Sequence, residues 1–346
     1  AGRKPSPTGM PPLGGGAAPS GLASASDADA IPGGNRTTHR DGVASARPRL
    51  SVIIPSYNAR ATIGPCLESL KQQVADERIE VIVVDSSTDG TAEFVQEHFP
   101  FARTYHFADR KFCGAARNWG VVHARGDIVA FLDADCTATP DWAAAVLRAH
   151  QSPDVVIGGA IANGTRRGVV GWAAFFCEFS QWMPHRPAGT MPEVAGANMS
   201  CKRAAFDGSG SFIEGTYCSD TEFQWRLAAQ GRVSRFDPSI LVTHYSITDV
   251  GRFLKHEYGH GRDFGKVRAR HWCWPAWKKA LYVAFGFVIP WKLLAQVAAR
   301  TVRNRTYLPR LLMASPLLIV GLYAWVLGEC SGYLFAARYQ PRVVST

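Results

Sequence analysis

Asp133-Ala134-Asp135 is the segment whose residue types and spacing point most directly to chemistry. Two carboxylates flank one small residue, immediately beyond the apolar run Asp127-Ile-Val-Ala-Phe-Leu132. Like charges held this close are costly unless a cation or a proton compensates them. Hard cations such as Mg2+ and Mn2+ take oxygen ligands and share them with substrate phosphates. On that reading Asp135 holds a divalent ion against a diphosphate and Asp133 reaches a sugar or ribose. The ion then stabilises the diphosphate as it departs. The plain alternative is a solvated acidic turn, because so short a pattern also arises by chance.

Four further groups have the right types. Pro55-Ser56-Tyr57-Asn58 follows an apolar run and offers a loop whose backbone can lie against a base or ribose; an ordinary strand-to-helix turn is the alternative. Asp85, in Val84-Asp-Ser-Ser-Thr-Asp-Gly90, is placed to accept hydrogen bonds from a nucleoside. An Asx turn is the lesser alternative, and Asp89 reads as a cap for the helix that follows. Asp220 heads Thr221-Glu-Phe-Gln-Trp-Arg-Leu227 and fits either a general base for an acceptor hydroxyl or a helix N-cap, with Glu214 and Glu222 as substitutes for the base. His244, just past an apolar stretch, fits a metal ligand or a structural imidazole. Lys111, Arg117, Arg262 and Lys266 are cations available to a phosphate, or solvated surface.

The elements that must hold these groups alternate. Leu50–Ile54, Ile79–Val84 and Asp127–Leu132 read as three buried strands, the first stopped by Pro55. Between them, 61–74 (Ile63, Leu67, Leu70, Val74), 91–98 and 114–124 read as helices. A helix opens at Pro140-Asp141, and Val155–Ile157 reads as a further strand. Strand–helix alternation with short links predicts parallel βαβ units. Ligands bind such sheets beyond the carboxyl ends of the strands, where Pro55, Asp85 and Asp133 all fall. From 165 to 215 the pattern is irregular and aromatic. Then 219–230 reads as a helix stopped by Gly231, Val233–Phe236 and Ile240–Thr243 as short strands, and 249–269 as a basic helix.

Composition bounds the rest. The chain has 346 residues, 47% hydrophobic, with net charge +10. Global disorder is excluded, and anionic partners such as diphosphates or an acidic membrane leaflet are favoured; nucleic acid is not expected. The eight cysteines form no CxxC pair and read as free thiols in a reducing compartment. Residues 1–48, rich in Gly, Ala, Pro, Ser and Arg, read as a flexible tail without a secretory core. Residues 271–346 change character: Ala280–Trp291 and Leu311–Gly328 carry no charge, and the second is near bilayer-spanning length. Arg300, Arg303, Arg305 and Arg310 lie between them, so two spans would put a basic loop outside, against the positive-inside rule. The expectation is therefore that 280–299 lies in the interface and 311–330 is the better spanning candidate, with the catalytic part on the cytoplasmic face.

Leu50–Asn58, Val81–Gly90, Gly114–Gly120 with Arg117-Asn118, Asp127–Asp135, Gly196-Ala-Asn198, the Asp220 helix with Arg226-Leu227, His244 and Tyr258-Gly259 occur in one order. Over roughly residues 49–265 the chain resembles the GT-A glycosyltransferases of family 2. The resemblance implies a GT-A, Rossmann-like, mostly parallel α/β sheet over 49–270, flanked by helices, with the hydrophobic segment appended. It implies a UDP-, GDP- or dTDP-sugar donor, Mn2+ or Mg2+, and inversion at the anomeric carbon. Pro55, Tyr57, Asn58, Asp85, Arg117 and Asp133 would bind the donor, Asp135 and His244 the metal, and Asp220 would be the base. Many relatives have Glu-Asp at the base position; here Ser219 precedes Asp220, which puts acceptor orientation in doubt. No Gln-x-x-Arg-Trp motif of polymerising members follows, so one sugar per encounter is expected, to a glycan or lipid-linked hydroxyl. A sugar nucleotidyltransferase would carry a Gly-rich basic loop after the first strand, which is absent. A non-catalytic nucleotide-sugar-binding protein is the other rival, and it would not need both Asp135 and Asp220.

Overall fold

The computed structural model describes residues 47–75, 78–302 and 305–335. The predicted tail falls almost wholly outside the described residues, as does Arg303.

In chain order the elements are β1 (Leu50–Ser56), α1 (Ile63–Val74), β2 (Ile79–Asp85), α2 (Thr91–His98), β3 (Ala102–His106), α3 (Cys113–His123), β4 (Ile128–Leu132), β5 (Cys136–Ala138), α4 (Trp142–Ala149), β6 (Val156–Asn163), α5 (Val169–Phe179), β7 (Gly189–Met191), β8 (Asn198–Lys202), α6 (Ser219–Ala229), β9 (Ser234–His244), α7 (Val250–His271), α8 (Ala276–Ala284), α9 (Ile289–Val302) and α10 (Leu308–Phe335). They build one sheet in the order β3-β2-β1-β4-β8-β6-β9-β5, with β7 beside β9. The half β3-β2-β1-β4 is parallel, as the alternation predicts. Beyond β4 the sheet is mixed: β8 runs antiparallel to β4 and β6, β6 and β9 are parallel, and β5 and β7 are antiparallel to β9. β1, β2 and β4 are apolar almost throughout and buried along their length, as strands covered on both faces must be.

Several elements depart from the sequence reading, among them β5, β7 and β8, which it did not contain. β3 was not expected; it is an edge strand in which only Ala102 is buried, so it carries no apolar run. The segment before Asp133 is thus the fourth strand in the chain, although it lies directly beside the first. α5 lies in the stretch read as irregular. Trp172, Phe175, Phe176 and Phe179 have helical spacing, but the remaining face is apolar too, and a helix buried all round shows little periodicity. The two short strands before His244 are one strand, β9. Its pairing with β6 jumps from Asp237 to Leu241, because Pro238 interrupts the ladder.

The C-terminal helices pack on the sheet domain. Leu311, Ala314, Leu318 and Leu322 of α10 share one core with β1, α5 and Phe253 of α7. Further along, α7 and α10 meet backbone to backbone: a Cβ on Gly261 or Gly265 would overlap the carbonyls of Trp325 or Glu329, and one on Gly328 or Gly332 those of Tyr258 or Arg262. Arg268 of α7 is paired with Glu329 of α10 at 2.5 Å, and both meet the Tyr333 hydroxyl. α10 has 28 residues and a mean hydropathy of 2.0 in its most apolar stretch, long and apolar enough to cross a membrane. α8 and the chain from Gly286 through α9 are bent by 51°.

Candidate active site

Asp133 and Asp135 follow β4 directly, and the chain then turns into β5. Pairing of β5 with β9 sets Cys136 opposite His244, which brings a ring from 109 residues further along the chain against the Asp135 carboxylate. His244 Nε2 stands 3.3 Å from Asp135 Oδ1. Asp135 Oδ1 is sealed from water and has no hydrogen-bond partner among the described residues. His244 Nδ1 lies 3.3 Å from Ser246 Oγ, and its ring packs on Phe179 with centroids 4.5 Å apart. Burial drives the Asp135 carboxyl above its ordinary range; His244 opposes that, and Asp133 and Glu178 add to it. An acid strained in this way is relieved by a cation.

Asp135, Cys136 and His244 each present a donor atom within 4.8 Å of the others. Burial pushes the Cys136 thiol well up, and its soft sulfur is a poor match for a hard cation. The carboxylate oxygen and imidazole nitrogen that remain fit Mn2+ or Mg2+ with open positions for phosphate oxygens and water.

Asp133 faces the other way. Arg117 Nη2 donates to Asp133 Oδ1 at 3.2 Å. Arg117 is delivered by α3, which fits closely because its contact positions are small: a Cβ on Gly120 would overlap Ile53 of β1, and one on Gly114 would overlap the Ile213 carbonyl and crowd Ser219. Asn118 anchors the same helix by accepting from Phe212 N and donating to Phe212 O, both at 2.9 Å. Burial works against the Arg117 charge, but Asp133, Cys113 and Asp220 outweigh it and hold the guanidinium more firmly charged than usual.

Asp220 is the second residue of α6 and does not cap it. The N-cap is Cys218, whose side chain makes no cap. Instead Asp220 Oδ2 accepts from the backbone N–H of Gly196 at 2.8 Å. A Cβ at Gly196 would displace the groups around it, standing 2.6 Å from Asp220 Oδ2 and 2.8 Å from both terminal nitrogens of Arg117. The base candidate, the arginine and Asp133 are therefore one cluster. Asn198 is structural; it accepts from Trp142 Nε1 and donates to the carbonyls of Ala160 and Ile240, tying β8 to β6 and β9. The substitutes for Asp220 are engaged elsewhere: Glu222 pairs with Arg226 and His271, and Glu214 accepts from Asn118.

At the nucleoside side, Asp85 has no exposure. Its carboxylate closes an Asx turn on Ser87 N at 3.0 Å, accepts from Ser87 Oγ, and meets His106 Nδ1 at 2.8 Å. Asp89 makes a second Asx turn on Thr91 at the head of α2. Asn58, with φ +49°, binds the two loops together by donating from its N–H to Ser87 Oγ and accepting from Thr88 N. Pro55 is buried in β1, while Tyr57 is exposed with the Arg110 guanidinium 4.2 Å from its ring centre. Arg262 and Lys266 pair with Asp263 on α7, and Lys111 Nζ lies over Phe107. His106, Arg110, Cys136 and Glu193 adjoin this region and were not singled out in the sequence. His106 sits on the unexpected edge strand, Cys136 directly follows Asp135, and Arg110 and Glu193 join the site through contacts distant in sequence.

Residues 51–207 match the Glycosyl transferase family 2 model. The pre-mycofactocin glycosyltransferase of Mycobacterium tuberculosis is 26% identical over 271 residues, which cover 75% of this chain and 53% of that protein. The uncharacterized glycosyltransferase YfnE of Bacillus subtilis is 38% identical over 113 residues, 32% of this chain and 29% of that one. The chain thus spans about half the length of the first relative, and less of the second. A mannosyltransferase from Pyrobaculum calidifontis, solved with GDP-Man and Mn2+, superimposes with a TM-score of 0.57 at 20% identity, covering 84% of this chain and 88% of that one. The fold is accordingly a GT-A-like α/β sheet, and over residues 51–207 the chain is similar to glycosyl transferase family 2.

Proposed function

We propose that this chain transfers a single sugar from a nucleoside diphosphate sugar, UDP- or GDP-linked, to an acceptor hydroxyl with inversion. One observation carries the reading. The point where a Gly196 Cβ would stand lies under 3 Å from both the Asp220 carboxylate and the Arg117 guanidinium, and Arg117 also grips Asp133. One buried arginine thus holds a donor-side carboxylate and feels the charge of the base candidate.

Asp135 and His244 would hold a divalent ion, which when bound supplies positive charge to the departing diphosphate. The fold neighbour's complex with GDP-Man and Mn2+ supports that choice. Asp133 orients the donor sugar or ribose, with Arg117 fixing its carboxylate. Pro55, Tyr57 and the loops clasped by Asn58 bound the nucleoside, and Asp85 acts there by holding the Ser87 turn. Asp220 takes the acceptor proton as the hydroxyl oxygen attacks the anomeric carbon. Positioning and electrostatics carry most of the rate. The test is Asp220→Asn: transfer should fall by roughly 10²–10⁴-fold, the span of general base catalysis, while the thermal shift given by the nucleotide sugar persists. Turnover at the wild-type rate would refute the assignment.

We further propose that the chain works at the cytoplasmic face of a membrane on a glycan or lipid-linked acceptor. Trp277, Phe285, Phe287 and Trp291 of the bent α8–α9 segment are all more than half exposed, interspersed with Lys278, Lys279 and Lys292. Aromatics and lysines in such a mixture favour the interface of an anionic leaflet. α10 keeps one face locked on the charged helix α7 and presents Leu312, Leu327 and Leu334 on the other, which favours attachment at the surface over a freely spanning helix.

A further inference from the structure

Tyr217 stands three residues before Asp220, in the chain that enters α6. Two contacts with α7 hold it there. Its backbone N–H donates to Asp263 Oδ2 at 3.4 Å, and the thiol of the next residue, Cys218, reaches the His260 carbonyl at 4.0 Å. On the other side the same stretch packs on the start of α3, where Gly114 touches Ile213 and Ser219. Phe112 immediately precedes α3, and its ring centre lies 5.9 Å from that of Tyr217. Across from it, the Tyr217 centre lies 5.5 Å from His256 and 6.0 Å from His260, one turn apart on α7. Four rings from three segments thus gather beside the head of α6, where Asp220 lies.

All four keep part of their surface exposed. The neighbours meet Tyr217 edge-on or tilted, at 84°, 73° and 45°, so none of them lies flat on its ring. Such side chains have an apolar body and a polar tip. Their faces suit the C–H side of a sugar ring, and a tyrosine hydroxyl or an imidazole nitrogen suits its hydroxyls. Aromatic walls with a few polar groups are the general form of a small-ligand site.

Charge decides against a lipid phosphate. The cations of α7 beside these rings are already paired, His256 with Glu178 at 3.6 Å, and Arg262 and Lys266 with Asp263 at 3.4 and 3.9 Å. Arg110 is shared between Phe112 and Tyr57, toward the nucleoside side. Burial, then His256, hold the His260 imidazole below its ordinary range, so it is neutral. A neutral imidazole offers one donor and one acceptor, which is what a hydroxyl needs.

We propose that Tyr217, with Phe112 and His260 beside it, is the acceptor platform: it takes the ring of a neutral pyranose and presents one of its hydroxyls to Asp220. The inference rests on the reading of Asp220 as the base, and it narrows the acceptor to a saccharide.

The test is saturation-transfer NMR on the full chain with Mn2+ and UDP or GDP, whichever raises its melting temperature more. The probes are methyl and octyl glycosides of glucose, galactose and mannose, with farnesyl phosphate as the rival. Ring C–H protons of at least one glycoside should receive saturation. Its affinity should fall about tenfold in Tyr217→Ala, the loss of one aromatic contact, and persist in Tyr217→Phe, which keeps the ring. A thermal melt matching the wild type shows that a variant is folded; Tyr217→Leu, which keeps bulk without a flat face, serves if Tyr217→Ala melts early. An octyl glycoside that binds more tightly than its methyl counterpart, with the same dependence on Tyr217, upholds the platform with a lipid-linked sugar as its source. Equal binding upholds it with a free glycan. Absence of glycoside binding, glycoside binding indifferent to these substitutions, or binding of farnesyl phosphate that Tyr217→Ala abolishes overturns it. Asp220→Asn should keep the glycoside signal. Full turnover by Asp220→Asn would instead remove Asp220 as the base, a result read separately from glycoside binding.

Discussion

Gly196 N–H donates to Asp220 Oδ2 at 2.8 Å, and the glycine stands where any side chain would strike both that carboxylate and Arg117. A single hydrogen from a residue with no side chain thus aims the proposed base. Gly196→Ala should leave the protein folded, with a cost of about 1–3 kcal/mol for overpacking. It should lower turnover by tenfold or more, because Asp220 and Arg117 have to move apart. Turnover compared with the denaturation midpoint separates the two effects; unaltered turnover in a folded variant would show that this contact does not aim the base.

The metal side gives a second expectation. Asp135→Asn and His244→Ala each remove one of the two donors placed to hold the ion. Manganese binding, read by electron paramagnetic resonance or calorimetry, should weaken at least tenfold in each variant. Cys136→Ser should bind manganese like the wild type, since a soft thiol adds little to the hold on a hard cation. Equal weakening by Cys136→Ser would move the ion toward the sulfur.

Stability should depend on pH through Glu178 and His256, whose charged atoms are 3.6 Å apart. Burial opposes both charges, but His256 holds the Glu178 carboxyl down to about 2, and Glu178 holds the His256 imidazole up to about 9. The Glu178 part is complete above 4.5 and is lost as pH falls through about 2. The His256 part is complete below 6.5 and is lost as pH rises through about 9. Unfolding midpoints should therefore decline from pH 6.5 to 9, and His256→Gln should flatten that decline. An unchanged slope in the variant would remove the pair as its cause.

The backbone-to-backbone seam between α7 and α10 leaves no space at its glycines. Gly328→Leu or Gly261→Leu should prise the helices apart and cost at least the 1–3 kcal/mol typical of overpacking, about. Calorimetric melting checks this. A melting temperature equal to that of the wild type would mean that the seam is not closed in solution.

Binding to vesicles tests the exposed aromatic face. The full chain should float with vesicles of phosphatidylcholine and phosphatidylglycerol, and less with phosphatidylcholine alone. Trp277→Ala with Phe287→Ala should cut flotation several-fold. Flotation indifferent to both lipid charge and these substitutions would contradict attachment through α8 and α9.

What could be read from sequence follows from how local each signal is. β1, β2 and β4 are apolar almost throughout, and the polar residues at their tips, including Asp133 and Asp135, could be assigned to the ligand edge of a sheet. Asp220 was legible only as a choice between base and cap, and it was the non-local contact with Gly196 that removed the cap. Asp85 carried the Asx-turn alternative openly, and the turn is present, with His106 as a further partner from an edge strand that has no apolar pattern. Glu193 was invisible, because nothing in its neighbours' spacing tells that Gln224 pins its segment to α6. The mixed half of the sheet was equally hidden: strand direction there depends on pairings among β6, β8 and β9, which short-range periodicity does not encode.

The central claim is that Asp133-Ala134-Asp135 serves transfer from a nucleoside diphosphate sugar with a divalent ion. The most direct measurement is release of nucleoside diphosphate by the purified full chain from a panel of UDP-, GDP- and dTDP-sugars, with Mn2+ and with chelator. The account predicts release from one donor that depends on Mn2+ and drops at least a hundredfold in Asp135→Asn. Release that persists unchanged in chelator and in Asp135→Asn would contradict it.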